Sequence, residues 1–260
     1  MKKAGFGNIN GQKIYYELFQ KSEEAEYLVF LHEGLGSVAQ WKNLPEEFSE
    51  LTSMNVLVYD RSGYGKSSPV PQNYPYDYVR YEAQTILPKL LEQLKIETCH
   101  LFGHSDGATI ALLFAAYHPQ KCLSVISEAA HVIIENMSVE GIRKIRAIYQ
   151  DKIRKPLQKH HGDKTDWVFY HWSDTWIDPA FKSWNMNIEL KQIKCPVLAI
   201  QGEDDEYGSP EQLKIIRDLS SAETHLIPSC GHIPHFQKPS EIKKLVMDFF
   251  KKTYESNASL

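Results

Sequence analysis

Short apolar runs recur along the chain, and stretches with helical spacing lie between them. The continuous runs Tyr27–Leu31, Asn55–Tyr59 and Cys195–Gln201 have the pattern of strands that are buried on both faces of a sheet. Residues 78–95 carry apolar side chains at the spacing of an amphipathic helix, and Pro88 is predicted to kink it. Strands that alternate with helices indicate a mostly parallel sheet with helices on both faces.

The two ends of the chain extend this alternation. Residues 4–19 form two alternating segments around Asn10 and Gly11, which predicts an antiparallel hairpin. The C-terminal part adds three predicted elements, a helix over 210–219, a strand near 224–227 and an amphipathic helix from Ser240. We expect residues 255–260 to be frayed.

The alternation stops over residues 129–190. This stretch is rich in charged and aromatic residues and has no strand pattern, so we predict a helical insertion that lies over the sheet. We expect some of its aromatic side chains to line a pocket and others to form a small core of their own. Trp172 and Trp176 are the candidates for substrate contact.

The most informative local pattern lies between a predicted strand that ends at Gly103 and a helix that begins after Ser105. Residues 103–107 there read G-x-S-x-G. Between a strand and a helix, this sequence is typical of a nucleophile elbow, a tight turn that holds a serine hydroxyl out from the backbone. The interpretation makes Ser105 a candidate nucleophile.

A serine nucleophile needs a basic side chain beside it and a carboxylate that orients the base. In elbow enzymes these follow the serine in the order acid, then histidine. The acidic loop after the predicted strand 195–201 offers Asp205, with Asp204 as the alternative. The loop after the last predicted strand offers His232, with His235 as the competitor.

The oxyanion of an acyl-transfer reaction also needs backbone N–H donors. One donor is expected from Asp106, the residue after the nucleophile. The glycine-containing loop at 32–36 is expected to supply the other, from Gly34 or else from Leu35. These groups need no cofactor and no metal, and His32-Glu33 does not continue as the H-E-x-x-H zinc motif.

The composition of the chain mainly argues against other classes of protein, such as nucleic-acid-binding and membrane proteins. The 260 residues have a formal net charge of −4 and scattered basic residues, which argues against a nucleic-acid partner. The four cysteines lie far apart, as expected for free buried thiols in a reducing compartment. We expect a cytoplasmic protein with no membrane partner, because no apolar stretch has the length of a signal peptide or a membrane span. We expect a small-molecule substrate and a monomer or homodimer.

Five motifs, in this order along nearly the whole chain, resemble the α/β-hydrolase superfamily of serine hydrolases. They are H-E-G-L-G-S (32–37), D-R-S-G-Y-G-K-S (60–67), G-H-S-D-G (103–107), G-E-D-D (202–205) and G-H-I-P-H (231–235). The resemblance implies an α/β-hydrolase fold with an eight-stranded, mostly parallel sheet. It implies a core of residues 1–128 and 191–260 with a helical cap, residues 129–190, inserted after the sixth strand. It also implies a catalytic triad of Ser105, Asp205 and His232.

Two details qualify the resemblance. Many relatives read H-G-G-P-G where this chain has Glu33 and Leu35, which leaves the second oxyanion donor open. A serine nucleophile, in place of an aspartate, argues against the haloalkane dehalogenase and epoxide hydrolase branches.

The predicted cap is similar to that of the valacyclovir-hydrolase-like branch, in residues 140–143 and 152–157 and in the S-D-G after the elbow. In that branch the aspartate after the serine helps to recognise a substrate amino group. Asp106 therefore either binds an amino group by a charge-assisted contact or only stabilises the N-terminus of the elbow helix.

The leading functional hypothesis is a serine hydrolase that cleaves a small-molecule carboxylic ester, lactone or activated ester through an acyl-enzyme on Ser105. A thioesterase, an amidase or aminopeptidase, and a carbon–carbon bond hydrolase use the same three groups and remain alternatives. A ligand-binding receptor built on a hydrolase fold is the alternative from another class.

Overall fold

The computed structural model describes residues 1–71 and 74–257. In this part of the chain, eight strands form one sheet in the order β1-β2-β4-β3-β5-β6-β7-β8. The strands are β1 (Lys2–Ile9), β2 (Gln12–Phe19), β3 (Tyr27–Leu31), β4 (Asn55–Tyr59), β5 (Cys99–His104), β6 (Cys122–Glu128), β7 (Val197–Gly202) and β8 (Glu223–Ile227).

The sheet is antiparallel only at its first edge. β1 and β2 form the predicted hairpin around Asn10 and Gly11, whose φ angles of 52° and 82° suit a tight turn. β2 is also antiparallel to β4, and every pairing from β4 to β8 is parallel. The predicted eight-stranded, mostly parallel sheet is therefore confirmed.

Helices cover both faces of this sheet. The helices of the described residues are α1 (Leu44–Thr52), α2 (Tyr78–Tyr81), α3 (Leu87–Gln93), α4 (Asp106–Tyr117), α5 (Asn136–Ala147), α6 (Arg154–His161), α7 (Thr165–Ile177), α8 (Asn187–Leu190), α9 (Glu211–Ser220), α10 (Pro234–Gln237) and α11 (Pro239–Asn257). One face packs against α2, α3, α4 and α9 and the other against α1 and α11. α4 is buried almost throughout, which explains its lack of a polar face.

The helix predicted over 78–95 has an irregular centre. A π-helical turn, Glu82–Ile86, separates α2 from α3, and Pro88 is in the first turn of α3. Proline lacks an N–H and clashes with the carbonyl four residues earlier, so a widened turn before it relieves both problems. The irregularity occurs at the predicted kink, and α3 ends at Gln93.

The residues between β6 and β7 are helical, as predicted. α5, α6, α7 and α8 are joined by a π-helical turn, Tyr149–Ile153, and by two 3₁₀ turns, Gly162–Lys164 and Pro179–Phe181. We call residues 129–190 the helical segment. Part of it forms a small cluster of its own around Tyr149, Leu157 and Phe169. Trp176 and Trp184 instead pack with the helices of the sheet.

Three smaller expectations concern the cysteines, the membrane and the C-terminus. All four cysteines are free thiols, and Cys99, Cys122 and Cys230 are buried. Among the described residues, no helix combines the length and apolar character that a bilayer crossing requires. The fraying predicted for 255–260 falls partly on 258–260, which lie outside the described residues, and α11 is helical to Asn257.

Candidate active site

Ser105 lies in the tight turn between β5 and α4. Its φ of 54° and ψ of −118° are outside the usual regions for a residue with a Cβ. A Cβ at Gly103 would lie 2.2 Å from the carbonyl oxygen of Gly107, and a Cβ at Gly107 would lie 1.9 Å from that of Leu31. Both glycines are therefore required for strand and helix to pass each other at the elbow.

Two loops at the carboxyl end of the sheet bring His232 and Asp205 to this serine. His232 Nε2 lies 3.0 Å from Ser105 Oγ, and His232 Nδ1 lies 2.9 and 3.0 Å from the two carboxylate oxygens of Asp205. The backbone N–H of Tyr207 and the side-chain amide of Gln201 also donate to that carboxylate. The three groups form one continuous hydrogen-bonded chain.

The electrostatics of this hydrogen-bonded group of side chains suit a base, His232, and its orienting acid, Asp205. Burial opposes the charged form of both side chains, but the hydrogen bond and the attraction between them outweigh it. The pKa of Asp205 is consequently lowered from its ordinary value, and the pKa of His232 is raised.

The alternatives to these two residues have other surroundings. Asp204 is exposed. His235 is buried, and its Nδ1 hydrogen-bonds to Glu128. His104 donates from Nε2 to the backbone oxygen of His232 at 2.8 Å, which helps to fix the loop that carries His232.

His104, Glu128 and His235 could in principle hold a metal ion, because their ligand atoms lie within 4.8 Å of one another. Two hydrogen bonds already engage these side chains, between His235 Nδ1 and Glu128 and between His104 Nε2 and the backbone oxygen of His232. The second carboxylate oxygen of Glu128 is buried without a partner among the described residues.

The two predicted oxyanion donors line the same pocket as Ser105. Asp106 is the first residue of α4, so its N–H has no partner within the helix. Arg61 holds the loop of Gly34 by donating from its side chain to the Glu33 carbonyl at 2.7 Å. A Cβ at Gly34 would lie 2.3 Å from Nε1 of Trp172, so this position must be a glycine for the helical segment to pack here.

The Asp106 carboxylate already has partners within the protein. Its Oδ2 accepts a hydrogen bond from the Tyr78 hydroxyl at 2.5 Å and lies 3.5 Å from both terminal nitrogens of Arg61. Burial raises the pKa of Asp106, and the neighbouring Arg61 charge and Tyr78 hydroxyl partly offset that effect. Tyr78 also accepts from the indole N–H of Trp176, which ties α7 to the elbow.

Comparisons with known proteins agree with this fold and elbow. A family model for the alpha/beta hydrolase fold matches residues 26–151. The structure of MGS-M2, an alpha/beta hydrolase enzyme from a Medee basin deep-sea metagenome library, superposes with a TM-score of 0.74 at 24% identity, covering 95% of this chain and 97% of that one. The chain is a member of the α/β-hydrolase superfamily.

Sequence relatives of this α/β hydrolase are named for different hydrolytic activities. The human serine hydrolase BPHL is 28% identical over 259 residues, which cover 94% of this chain and 84% of the relative. A proline iminopeptidase of Lactobacillus crispatus is 26% identical over 276 residues, covering 91% of this chain and 94% of the relative. The family is therefore that of hydrolases, while the bond that this chain acts on is a separate question.

The pocket of this α/β hydrolase has a volume of about 260 Å³ and opens onto Ser105. Apolar side chains form most of its wall, and they include both tryptophans singled out from the sequence: Leu35, Ile142, Ile145, Ile153, Trp172, Trp176 and Ile233. Besides Gly34, Ser105 and His232, the remaining lining residues are polar: Glu33, His104, Asp106, His131, Ser138, Glu206 and Tyr207. The pocket thus has an apolar portion and a polar portion.

Sequence reasoning missed His131 and Glu206 as pocket residues. His131 lies three residues beyond the end of β6, and Glu206 directly follows Asp205. Ligands of parallel sheets bind beyond the carboxyl ends of the strands, so position alone could have identified both residues.

Proposed function

We propose that this α/β hydrolase cleaves a small-molecule carboxylic ester, lactone or activated ester through an acyl-enzyme on Ser105. The observation that carries the proposal is the continuous chain from Asp205 through His232 to Ser105 Oγ, with a 3.0 Å contact at the serine. A hydroxyl in hydrogen-bond contact with an oriented imidazole is the arrangement that activates a serine.

The reaction proceeds in two halves. His232 takes the proton of Ser105 as Oγ attacks the substrate carbonyl, and the N–H groups of Gly34 and Asp106 stabilise the tetrahedral oxyanion. His232 then protonates the departing alcohol, which leaves an acyl group on Ser105. Water, deprotonated by His232, attacks that acyl group and releases the acid, while Asp205 stabilises the transient imidazolium.

The side chains that the helical segment contributes to the pocket favour a substrate with a small, mainly apolar acyl group. Ile142, Ile145, Ile153 and Trp172 supply apolar wall in the pocket that also contains Ser105. In this proposal residues 129–190 act as a cap over a core of residues 1–128 and 191–260. A pocket of about 260 Å³ suits a small organic ester and is too small for a folded polypeptide.

Amino-acyl substrates are not favoured over plain esters. The carboxylate of Asp106 is next to the Arg61 guanidinium and accepts from Tyr78, so its charge is compensated before a ligand enters. We therefore expect Asp106→Ala to lower turnover of alanine and propanoate p-nitrophenyl esters equally. A loss confined to the alanine ester would assign Asp106 to amine recognition.

The first experiment measures hydrolysis of p-nitrophenyl esters from acetate to decanoate by the wild type and by Ser105→Ala. The expected result is turnover with an optimum at short acyl chains and a loss on the order of 10⁴-fold or more in the variant. Matched thioesters, anilides and dienoic diketo acids test the other bond types. Equal hydrolysis by the variant would contradict the proposal.

A fluorophosphonate probe separates a selective enzyme from a receptor built on the same fold. Activated Ser105 is expected to become labelled in the wild type and not in Ser105→Ala, even for a substrate outside the ester series. An unlabelled wild type that also hydrolyses none of the substrates would favour the receptor.

A further inference from the structure

His131 is held at a fixed position relative to the nucleophile. Its backbone N–H donates to the hydroxyl of Thr109 at 3.1 Å, and that hydroxyl donates back to the His131 carbonyl at 2.9 Å. Thr109 lies on α4, four residues after Ser105. The main chain at His131 is therefore tied to the same helix that begins at the elbow.

The ring of His131 faces the pocket without a partner of its own. The residue is 7% exposed and lines the same cavity as Ser105. Its ring centroid lies 5.8 Å from that of His232 and 5.6 Å from that of Trp176. Among the described residues, neither ring nitrogen has a hydrogen-bond partner, and Nδ1 is fully buried.

An unpaired buried imidazole is unusual, because nearly all buried polar groups have a hydrogen-bond partner. Burial, helped by the neighbouring His232, lowers the pKa of His131 to about 4, so the ring is neutral near pH 7. A neutral imidazole presents one N–H donor and one acceptor nitrogen. It is therefore equipped to bind a hydroxyl or a carbonyl oxygen.

The charges around the pocket narrow the chemistry of that ligand. Three acidic residues line the pocket, Glu33, Asp106 and Glu206. Arg61 is adjacent to one of them, Asp106, and already donates to the Glu33 carbonyl. An anionic substituent would be repelled by these acidic side chains, whereas a neutral hydroxyl or keto group would not.

We propose that His131 is a binding subsite for a neutral hydroxyl or keto group of the substrate, located a few bonds from the scissile carbonyl. The inference rests on the proposed function and adds the substrate class, which is hydroxy- or oxo-substituted esters and the related lactones. Unsubstituted esters bind the same pocket but leave the imidazole unpaired, and a site built to pair with an oxygen discriminates against them.

The test uses sets of esters in which an unsubstituted ester is compared with esters that carry one hydroxyl or keto group. Methyl butanoate is compared with methyl 2-hydroxybutanoate, 3-hydroxybutanoate and 3-oxobutanoate, and propyl butanoate with 2-hydroxyethyl butanoate. Acid release is followed for the wild type, His131→Phe and His131→Gln. His118→Phe is the matched control, because His118 lies at the far end of α4, away from the pocket.

We expect the wild type to prefer at least one oxygenated ester, and His131→Phe to lower kcat/KM on that ester by about 10- to 100-fold. The loss on its unsubstituted partner should be smaller, because no hydrogen bond to that ester is lost. His131→Gln, which keeps a donor and an acceptor, should recover part of the preference. The control variant should keep the wild-type ratios.

Two results would overturn the inference: no preference for any oxygenated ester, or equal loss by His131→Phe on both members of each pair. Phosphonate labelling of His131→Phe shows whether Ser105 is still activated in that variant. Failure of the proposed function is distinguishable, because it would appear as activity that survives Ser105→Ala.

Discussion

The loops at the carboxyl end of the sheet and the helical segment contribute to the pocket in different ways. In the loops, backbone geometry and hydrogen bonds fix each polar group: Ser105 at the elbow, His232 against Asp205, and Asp106 against Arg61. In the helical segment, the pocket residues are mainly apolar side chains, such as Ile145 and Ile153, whose identity no hydrogen bond dictates.

This difference separates reactivity from selectivity. In the proposed mechanism a change in the loops alters groups that every substrate must meet, so it should affect all substrates alike. A change at the apolar positions of the helical segment alters the shape of the wall, so it should change which substrate is preferred. The single polar link between α7 and the elbow runs from Trp176 through Tyr78 to Asp106, as far as the described residues show.

The largest expected effect is on Asp205. Asp205→Asn keeps the size of the side chain but removes the charge that stabilises the imidazolium of His232, and it favours the wrong ring tautomer. We expect kcat to fall by about 10⁴-fold on every ester in the chain-length series. Steady-state kinetics on that series would measure it.

Asp204→Asn is the matched control, because Asp204 is the exposed neighbour. Its kcat should stay close to wild type. A large loss in Asp204→Asn with little change in Asp205→Asn would reverse the assignment of the acid.

The second effect concerns stability. Arg61→Met leaves the Asp106 carboxylate buried without its cationic neighbour, and breaking a buried pair in this way costs about 3–5 kcal/mol. Arg154→Met breaks an exposed ion pair with Asp166, and such surface pairs contribute little to stability. Urea denaturation of both variants would measure the difference, and equal losses would contradict it.

The third effect is on pH dependence. His232 must be neutral to accept the serine proton, and its pKa is raised above the ordinary value of about 6.5. We expect kcat/KM to fall about tenfold per pH unit below that raised pKa and to reach a plateau above it.

Asp205→Asn should shift this midpoint to lower pH, because it removes the charge that raises the pKa. The residual activity of that variant, followed by kcat/KM between pH 5 and pH 9, roughly the range over which histidine titrates, would measure the shift. An unchanged midpoint would assign the titration to another group.

The smallest effect belongs to the helical segment. Ile153→Ala should enlarge the apolar portion of the pocket and move the preferred acyl length by about one or two carbons, with rate changes of roughly tenfold or less. Ile148→Ala removes the same atoms outside the pocket and should leave the preference unchanged. A uniform loss on all acyl lengths would show that the segment also affects reactivity.

The parts of the molecule predicted from sequence are those that depend on local backbone requirements. Gly103 and Gly107 identified the elbow because no larger residue fits there, and the apolar runs identified the inner strands β3, β4 and β7 because these are buried on both faces. The order of serine, acid and histidine along the chain then led to Asp205 and His232.

The parts that escaped prediction depend on contacts distant in sequence. Arg61 and Asp106 are 45 residues apart, and neither local sequence indicates that the two side chains meet. The pocket role of His131 likewise depends on Thr109, 22 residues earlier, and on what the ring does not contact. Sequence patterns do not report the pairing state of a buried side chain.

The left-handed backbone of Ser105 also bears on protein engineering. Such a conformation costs on the order of 1–3 kcal/mol, out of a typical folding stability of about 5–15 kcal/mol. Directed evolution for thermostability could recover this energy with glycine at position 105, but the chain would lose the hydroxyl that we propose as its nucleophile. Ser53 and Lys95, with φ angles of 59° and 58°, are exposed and lie outside the pocket. A thermostable variant of this hydrolase is therefore better sought at those two turns.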